Sequence, residues 1–374
     1  MSATGGSPAP LRVAVFGLTP TSVHYLTYVR FLAGRGHRVT CLTNAPRVDA
    51  PVAVVDFARH RRLAARLPRG VRLLPKLATI AVTLLRGRFD VLDVMQVTPD
   101  GLLTALLWRG PLVLDFWGSD VLRLSERPWW ARWLMPRVLS RAAAIHSVSE
   151  QMTAELVRLG ADPAVIETFQ YGVDVGFFSF APAPRPGAVV VSTRGLRPFY
   201  RIETIVRALP HLLAAAPGAR LELTGGDQAE AARLGAVAGT LEVADRVTFL
   251  GYASDEDLAE HLRRAAVWVS VPPSDGAPLS LLEAMAAGAL PVTADIPSMR
   301  EWIAEGRGVL VGDVSPEGVA AGLARGLELA AQGAYAAPNR RLVEERGDRA
   351  VNLPRWEAML VAAARREPGA QRFA

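Results

Sequence analysis

Cysteine and long apolar runs are nearly absent from this sequence. It contains one cysteine, Cys41, among 374 residues, which excludes an intramolecular disulfide and any site built from several cysteines. No run of about 18 uncharged apolar residues occurs, so no membrane-spanning helix is predicted. Residues 1–10 are small and polar without the apolar core of a signal peptide, and they predict a disordered lead-in. These absences favour a cytoplasmic protein.

The composition is otherwise that of an ordinary globular protein. Half of the residues are hydrophobic and 21% are charged, and 374 residues are enough for two domains with a core each. The net charge of +6 is uneven, because residues 1–178 hold 21 Lys and Arg against 13 Asp and Glu, whereas the remainder holds 21 against 23. The positive excess therefore belongs to the first half.

This excess is concentrated in residues 59–88. The segment has nine basic residues and no acidic one, interleaved with leucine, isoleucine, valine and alanine. The pattern is typical of a segment that lies on an anionic membrane surface, and equally of a solvated helix face. Both interpretations stay open. Because the segment has no aromatic residue for base stacking and no reader motif, we expect no nucleic-acid partner.

Residues 267–303 carry the most informative pattern in the chain. They begin with a short apolar run that ends at two prolines, which predicts a buried strand followed by a loop. Pro278 then suits the first turn of a helix, residues 279–287 are good helix formers, and Gly288 is a natural stop. The segment therefore predicts strand, loop, short helix and strand in that order.

Two carboxylates flank the start of this predicted helix. Asp275 lies on the loop before it, and Glu283 lies about one turn inside it. A helix N-terminus has unpaired N–H groups and partial positive charge, so it can bind a phosphate. A carboxylate on each side can accept hydrogen bonds from the hydroxyls of a nucleotide sugar. The alternative is that Asp275 and Ser274 cap the helix while Glu283 is solvated.

The first half predicts a parallel sheet. Residues 11–17, 23–33 and 39–42 have strand, helix and strand patterns, which make a βαβ unit. The turn after the first strand lacks the Gly-x-Gly-x-x-Gly phosphate fingerprint, so we expect this domain to bind an acceptor molecule rather than a nucleotide. The candidate acceptor residues at this turn are Thr19, Thr21 and His24. The alternative for the histidine is a purely structural role.

A second loop, at residues 117–120, follows a predicted strand. Its sequence is Trp-Gly-Ser-Asp, and open parallel sheets bind ligands beyond the carboxyl ends of their strands. Trp117 is suited to stacking on a sugar ring or to packing in the core. Asp120 is suited to orienting an acceptor hydroxyl or to capping the following helix. Neither pair of alternatives is decided by the sequence.

The stretch at 267–303 resembles the donor motif of glycosyltransferase family 4. That motif has two acidic residues separated by seven others, the second within Leu-Glu-Ala-Met-Ala-x-Gly-x-Pro-Val, and the matching residues are Asp275 and Glu283. The resemblance implies that Glu283 binds the nucleotide ribose and that Asp275 contacts the donor sugar. The family usually has Glu at the first position, and Asp is one methylene shorter. The residues between them that are expected to line the donor are Gly276, Ala277, Pro278, Leu279 and Ser280.

Residues 193–201 form a basic loop. Family 4 has an arginine here and a lysine a few positions later, both on the donor diphosphate, but Tyr200 stands where the lysine would be. Arg194 and Arg201 are therefore the candidates for the diphosphate, since a guanidinium offers a planar fork to phosphate oxygens. Surface charge is the alternative.

Further donor candidates lie later in the chain. Gly225 follows a predicted strand where glycines let the backbone approach a ligand, and Tyr252 lies beside a segment that resembles the family's base-pocket strand. Asp255 and Asp257 form an Asp-x-Asp, the metal motif of a different glycosyltransferase fold. Here they open a helix predicted at residues 258–265, which favours an interaction with its dipole. We expect no metal and no other cofactor.

The resemblance implies the GT-B architecture, in which two Rossmann-like, doubly wound α/β domains with parallel sheets face each other across a cleft. The segment at residues 172–174 is similar to the family's junction between domains. We expect an acceptor-binding domain at 11–180, a proline-rich linker at 181–187 and a nucleotide-sugar-binding domain at 188–352. Residues 353–374 are expected to form a helix that packs back on the first domain, and then a frayed tail.

The function implied is a retaining, metal-independent glycosyltransferase that moves a sugar from a nucleoside diphosphate to a hydroxyl acceptor. The acceptor classes that remain open are a surface polysaccharide, a glycolipid and a metabolite. The candidate catalytic residues are Asp275, Arg194, Arg201 and Asp120. Three alternatives stay open: a nucleotide-sugar epimerase of the same fold, an inactive partner protein that binds nucleotide sugar, and a membrane-surface adaptor acting through residues 59–88. The expected location is cytoplasmic, with the inner face of the membrane as a peripheral site.

Overall fold

The computed structural model describes residues 9–17, 23–45, 47–57, 60, 65–68, 71–180 and 187–366, except the side chains of Val23 and His24. The chain forms two compact units, residues 1–169 with 353–374 and residues 170–352. Each unit has its own parallel sheet with helices between the strands, which confirms the predicted α/β class. Within the described ranges, no helix combines the length and the apolar character that crossing a bilayer requires.

The described strands of the first unit form one parallel sheet. They are β1 Arg12–Phe16, β2 Arg38–Thr43, β3 Ala53–Asp56, β4 Val91–Met95, β5 Leu112–Phe116, β6 Ala144–Ser147 and β7 Ile166–Thr168. Their order is β3-β2-β1-β4-β5-β6-β7, and Val13 of β1 lies between Val39 of β2 and Val91 of β4. β4 and β5 are buried along their whole length, as expected for strands in the middle of a parallel sheet.

In the described part of this unit, five helices connect the strands and a sixth comes from the C-terminal end of the chain. They are α1 Val23–Gly34, α2 Leu74–Gly87, α3 Pro99–Leu107, α4 Trp129–Leu139, α5 Glu150–Arg158 and, at the end of the chain, α13 Arg349–Arg365. Trp356 of α13 is fully buried, and its indole Nε1 donates to Asp115 of β5 at 3.3 Å. The neighbouring Glu357 accepts a hydrogen bond from Arg35 at 3.0 Å and lies 2.8 Å from His37 Nε2. These contacts hold α13 in the first unit.

The second unit repeats the plan with six described strands. They are β8 Val189–Ser192, β9 Arg220–Thr224, β10 Val247–Gly251, β11 Val267–Ser270, β12 Leu290–Ala294 and β13 Val309–Val311. Their order is β10-β9-β8-β11-β12-β13, and all pairs are parallel. The helices of this unit are α6 Ile202–Ala215, α7 Gln228–Thr240, α8 Asp255–Arg264, α9 Leu279–Ala287, α10 Pro297–Arg300, α11 Pro316–Gln332 and α12 Ala336–Arg346.

The predicted elements differ from the structure mainly at helix starts. The helix expected from residue 258 begins at Asp255, because Ser254 caps it and accepts a hydrogen bond from the Asp257 N–H at 3.1 Å. The helix expected from residue 353 begins at Arg349. The sequence patterns did not predict β3, α3, α4, α7 or α12, whose apolar periodicity is weak or interrupted by proline. Of the expected linker, residues 181–186 lie outside the described ranges.

Candidate active site

The helix predicted between residues 279 and 287 is present with those bounds as α9. It follows β11, which is buried along its length, and ends at Gly288 with φ 86°, a conformation that glycine adopts without strain. Pro278 precedes α9 without a side-chain cap. Among the described residues, no side chain caps the first N–H groups of α9, so its start keeps the hydrogen-bonding capacity that an anion site uses.

The loop before α9 is held by side chains from elsewhere in the second unit. The Gln170 side-chain amide donates to the carbonyls of Gly276 and Ala277, and the Ser298 hydroxyl donates to the Asp275 carbonyl at 2.7 Å. Ala277 has φ 70°, a strained value for a residue with a side chain. These hydrogen bonds hold the strained loop, and sequence analysis missed Gln170 because it lies 106 positions from Gly276.

Arg194, Asp275 and Ser280 form one cluster at the start of α9. The Arg194 guanidinium donates to Asp275 Oδ2 at 2.8 Å and to Ser280 Oγ at 3.0 Å. Both charged side chains are largely buried, with 12% of Arg194 and 13% of Asp275 exposed. Burial raises the pKa of Asp275, while the charge of Arg194 lowers it. The structure thus brings together the two residues that the sequence assigned to the diphosphate and the sugar.

Glu283 lies one turn inside α9 and is half-buried. Its pKa is raised from the ordinary 4.5 to about 7, mainly by burial; the charge of Arg349 opposes this rise, Asp255 adds to it, and Arg194 opposes it. Among the described residues it has neither a hydrogen bond nor an ion pair. A carboxylate that is desolvated without a compensating partner costs stability, so we interpret it as kept for a ligand.

The variant Glu283→Gln tests how much the desolvated carboxylate lowers the free energy of unfolding. In wild type the raised pKa of Glu283 means that stability is full below pH 4.5 and is lost as the pH rises towards 7. We expect Glu283→Gln to raise the free energy of unfolding at pH 8 by about 2 kcal/mol, an order-of-magnitude value after partial exposure is allowed for. The gain should shrink towards pH 5. Denaturant unfolding at several pH values measures it, with the exposed Glu305→Gln as control; a gain independent of pH contradicts the assignment.

The remaining donor candidates lie on neighbouring loops of the second unit. Gly225 has φ 143°, and an added Cβ would lie 2.7 Å from Leu196 Cγ, so only glycine fits there. Tyr252 is 84% exposed. Arg201 has φ 52° and joins a 3₁₀ turn to α6. In the described chain the Arg201 side chain has no ion pair, and its contact with a phosphate stays a prediction.

The candidates in the first unit are placed by packing. The Trp117 ring packs edge-on against Tyr28, with the ring centroids 5.8 Å apart. Asp120 is buried, and its carboxylate accepts hydrogen bonds from the N–H groups of Trp117, Gly118 and Val97 at 2.9–3.3 Å. The carboxylate therefore stabilises its own loop, and it does not cap a helix. Its action on an acceptor hydroxyl, and stacking of Trp117 on a sugar, stay predictions.

Three acceptor candidates cannot be placed. Thr19 and Thr21 lie outside the described residues, as does the side chain of His24. The Asp-x-Asp pair is placed, and both residues lie in the first turn of α8, which confirms that they open this helix.

Two family models match the chain. One, described as glycosyltransferase family 4, matches residues 21–177, and the other, described as glycosyl transferases group 1, matches residues 179–342. Together they cover the strands from β2 to β13 and every described candidate residue above.

Individual proteins that are similar to this chain support the two family matches. The chain is 31% identical to the phosphatidyl-myo-inositol mannosyltransferase of Mycolicibacterium smegmatis over 80% of its own length and 79% of that protein. It is 29% identical to the D-inositol 3-phosphate glycosyltransferase 2 of Catenulispora acidiphila over 48% and 47%. The fold is similar to that of Anabaena HepE, solved in complex with UDP and glucose, with a TM-score of 0.75 and 16% identity over 94% of this chain and 99% of that one.

Proposed function

Because this chain belongs to glycosyltransferase family 4, we propose that it transfers a sugar from a nucleoside diphosphate to a hydroxyl acceptor with retention of anomeric configuration. The observation that carries the proposal is the buried cluster of Arg194, Asp275 and Ser280 at the uncapped start of α9. It combines a phosphate-binding guanidinium, a helix N-terminus and a sugar-binding carboxylate within hydrogen-bonding distance of one another.

The donor site needs positive charge where the leaving phosphate develops negative charge. Arg194, Arg201 and the start of α9 supply it, so the reaction we propose needs no metal ion. As the bond to the sugar breaks, negative charge grows on the phosphate and positive charge on the sugar. Asp275 is placed to accept hydrogen bonds from that sugar. We propose no enzymic nucleophile, and the departing phosphate accepts the proton of the acceptor hydroxyl.

The names of the relatives favour an inositol-containing acceptor, since one is a phosphatidyl-myo-inositol mannosyltransferase and another a D-inositol 3-phosphate glycosyltransferase. We propose that this chain uses an acceptor of that class, a cyclic polyol that carries a phosphate. For the sugar, the similar proteins differ. The name of the first relative indicates mannose, whereas the structure of Anabaena HepE contains UDP and glucose.

A binding screen followed by product analysis tests this function. UDP, GDP and ADP, each with and without a sugar, should raise the melting temperature of wild type if they bind the folded state, and one of them should do so at micromolar concentrations. Glu283→Ala should weaken that binding about tenfold or more, because the ribose hydroxyls lose a charged acceptor. No shift with any of them contradicts the donor assignment. Products formed without acceptor would indicate the epimerase instead.

We also propose that the first unit associates peripherally with an anionic membrane surface. The helices α2, α3 and α4 expose large apolar side chains, including Leu85 at 78%, Trp129 at 71% and Trp133 at 55%. Exposed arginines flank them, and the Arg137 guanidinium lies 3.6 Å from the centre of the Trp133 ring. Lys76 is not part of this surface, because it pairs with Asp100 at 2.7 Å. Tryptophan and arginine together are typical of membrane interfaces.

Vesicle sedimentation tests the membrane proposal. Wild type should sediment with vesicles that contain phosphatidylserine or phosphatidylinositol and much less with phosphatidylcholine alone. The double variant Trp129→Ala, Trp133→Ala should lose about 10-fold or more in partitioning, since two large apolar side chains are removed. Replacing the exposed Val351, which lies on α13, should not change the partitioning onto vesicles. Equal binding to both kinds of vesicle contradicts an electrostatic contribution.

A further inference from the structure

Tyr200 lies directly beneath the guanidinium that the donor site depends on. It is the last residue of the 3₁₀ turn Pro198–Tyr200, and the centre of its ring is 4.2 Å from Cζ of Arg194. Its ring also packs on the apolar core of the second unit, and it meets the Phe199 ring at 5.4 Å. The Tyr200 ring thus packs on the core and also contacts the Arg194 guanidinium.

Arg194 has donors that are not all used. Two guanidinium nitrogens donate to Asp275 and Ser280, whereas the buried Nε has no hydrogen-bond partner among the described residues. Two end-on contacts leave the guanidinium free to tilt about the line that joins them. A ring face restricts this tilt, because a guanidinium stacks on an aromatic face and is attracted by its quadrupole.

The ring also occupies a position where charge is expected. At the position of Tyr200, family 4 has a phosphate-binding lysine, whereas this chain has an uncharged side chain. In the proposed function, phosphate binding therefore depends on Arg194, Arg201 and the start of α9, and Arg194 is the cation that contacts the Tyr200 ring.

We propose that Tyr200 is a positioning residue, which holds the Arg194 guanidinium in the plane that the donor diphosphate needs. The inference rests on the proposed function, since it concerns the same donor site. Tyr200 itself binds no phosphate, and its hydroxyl is not required. The contact that matters is the aromatic face, which orients the Arg194 guanidinium towards a nucleoside diphosphate.

Paired substitutions separate this role from simple packing. Tyr200→Phe keeps the aromatic face and the apolar contacts, whereas Tyr200→Leu keeps only the apolar contacts. By calorimetry with the nucleoside diphosphate that binds wild type most tightly, we expect Tyr200→Phe to bind within about twofold of wild type. Tyr200→Leu should bind about tenfold more weakly, which corresponds to the strength of a partly desolvated cation–π contact. All variants are compared below their own melting temperatures.

A double-mutant cycle supplies the second readout. In an Arg194→Ala background, Tyr200→Leu should change the affinity by less than twofold, because the side chain that it positions is gone. Equal losses from Tyr200→Leu in both backgrounds, or equal losses from the Phe and Leu variants, overturn the inference while the proposed function stands. A wild type that binds no nucleoside diphosphate overturns the proposed function, and this inference with it.

Discussion

Replacing Arg194 by alanine should lower the turnover of sugar transfer by about two orders of magnitude or more. The guanidinium lies at the start of α9, where it contacts both Ser280 and Asp275. Removing one donor that stabilises developing negative charge typically costs about 3–4 kcal/mol of barrier. Turnover measured at saturating nucleotide sugar isolates this effect from binding.

The neighbouring Arg197→Ala is the matched control for Arg194. Arg197 is three positions away on the same loop and has an exposed side chain, so its removal changes the net charge equally. We expect Arg197→Ala to change the turnover of sugar transfer by less than threefold. Similar losses from both substitutions would show that overall charge, and not the placed guanidinium, carries the effect.

Asp275→Asn should separate catalysis from nucleotide binding. In the structure the Asp275 carboxylate neutralises Arg194, whereas an asparagine of the same shape leaves the guanidinium with its full charge for the diphosphate. We therefore expect turnover to fall by about 100-fold, because the sugar loses a charged hydrogen-bond acceptor. The affinity for the nucleoside diphosphate alone should stay equal or become tighter.

Calorimetry with the nucleoside diphosphate and steady-state kinetics with the nucleotide sugar measure the two parts of this prediction. Thermal unfolding of the variant shows whether the loop before α9 is intact, since the Asp275 carbonyl still accepts a hydrogen bond from Ser298. If affinity and turnover fall by the same factor, Asp275 acts on the nucleotide or on folding, and its contact with the donor sugar is wrong.

The α/β class and the central element of the site could be predicted because they depend on neighbours in the chain. The bounds of α9 follow from Pro278, from a run of helix formers and from Gly288, which has the positive φ that favours glycine. The placement of Asp275 before the helix and Glu283 inside it follows from the same local pattern. A resemblance to a known family then supplied roles for these two residues.

The partners of those residues could not be predicted in the same way. Gln170, which holds the carbonyls of the loop, lies 106 positions before Gly276, and Arg194 lies 81 positions before Asp275. No spacing pattern connects residues so far apart. The sequence left two alternatives for Asp120, orienting an acceptor hydroxyl or capping a helix. The structure shows a third role, because its carboxylate accepts hydrogen bonds from N–H groups of its own loop and from the N–H of Val97.

The sequence by itself determined the α/β class, the parallel sheets that its strand–helix–strand units require, and the two carboxylates that flank α9. Those features depend on side-chain period, proline, glycine and helix propensity, which act over a few residues. Only the tertiary structure decided that Asp275 pairs with Arg194, that the Tyr200 ring contacts this arginine, and that Glu283 is desolvated without a partner among the described residues. Such contacts and charges depend on which strands become neighbours and how much water burial removes, and neither is encoded within one segment of the chain.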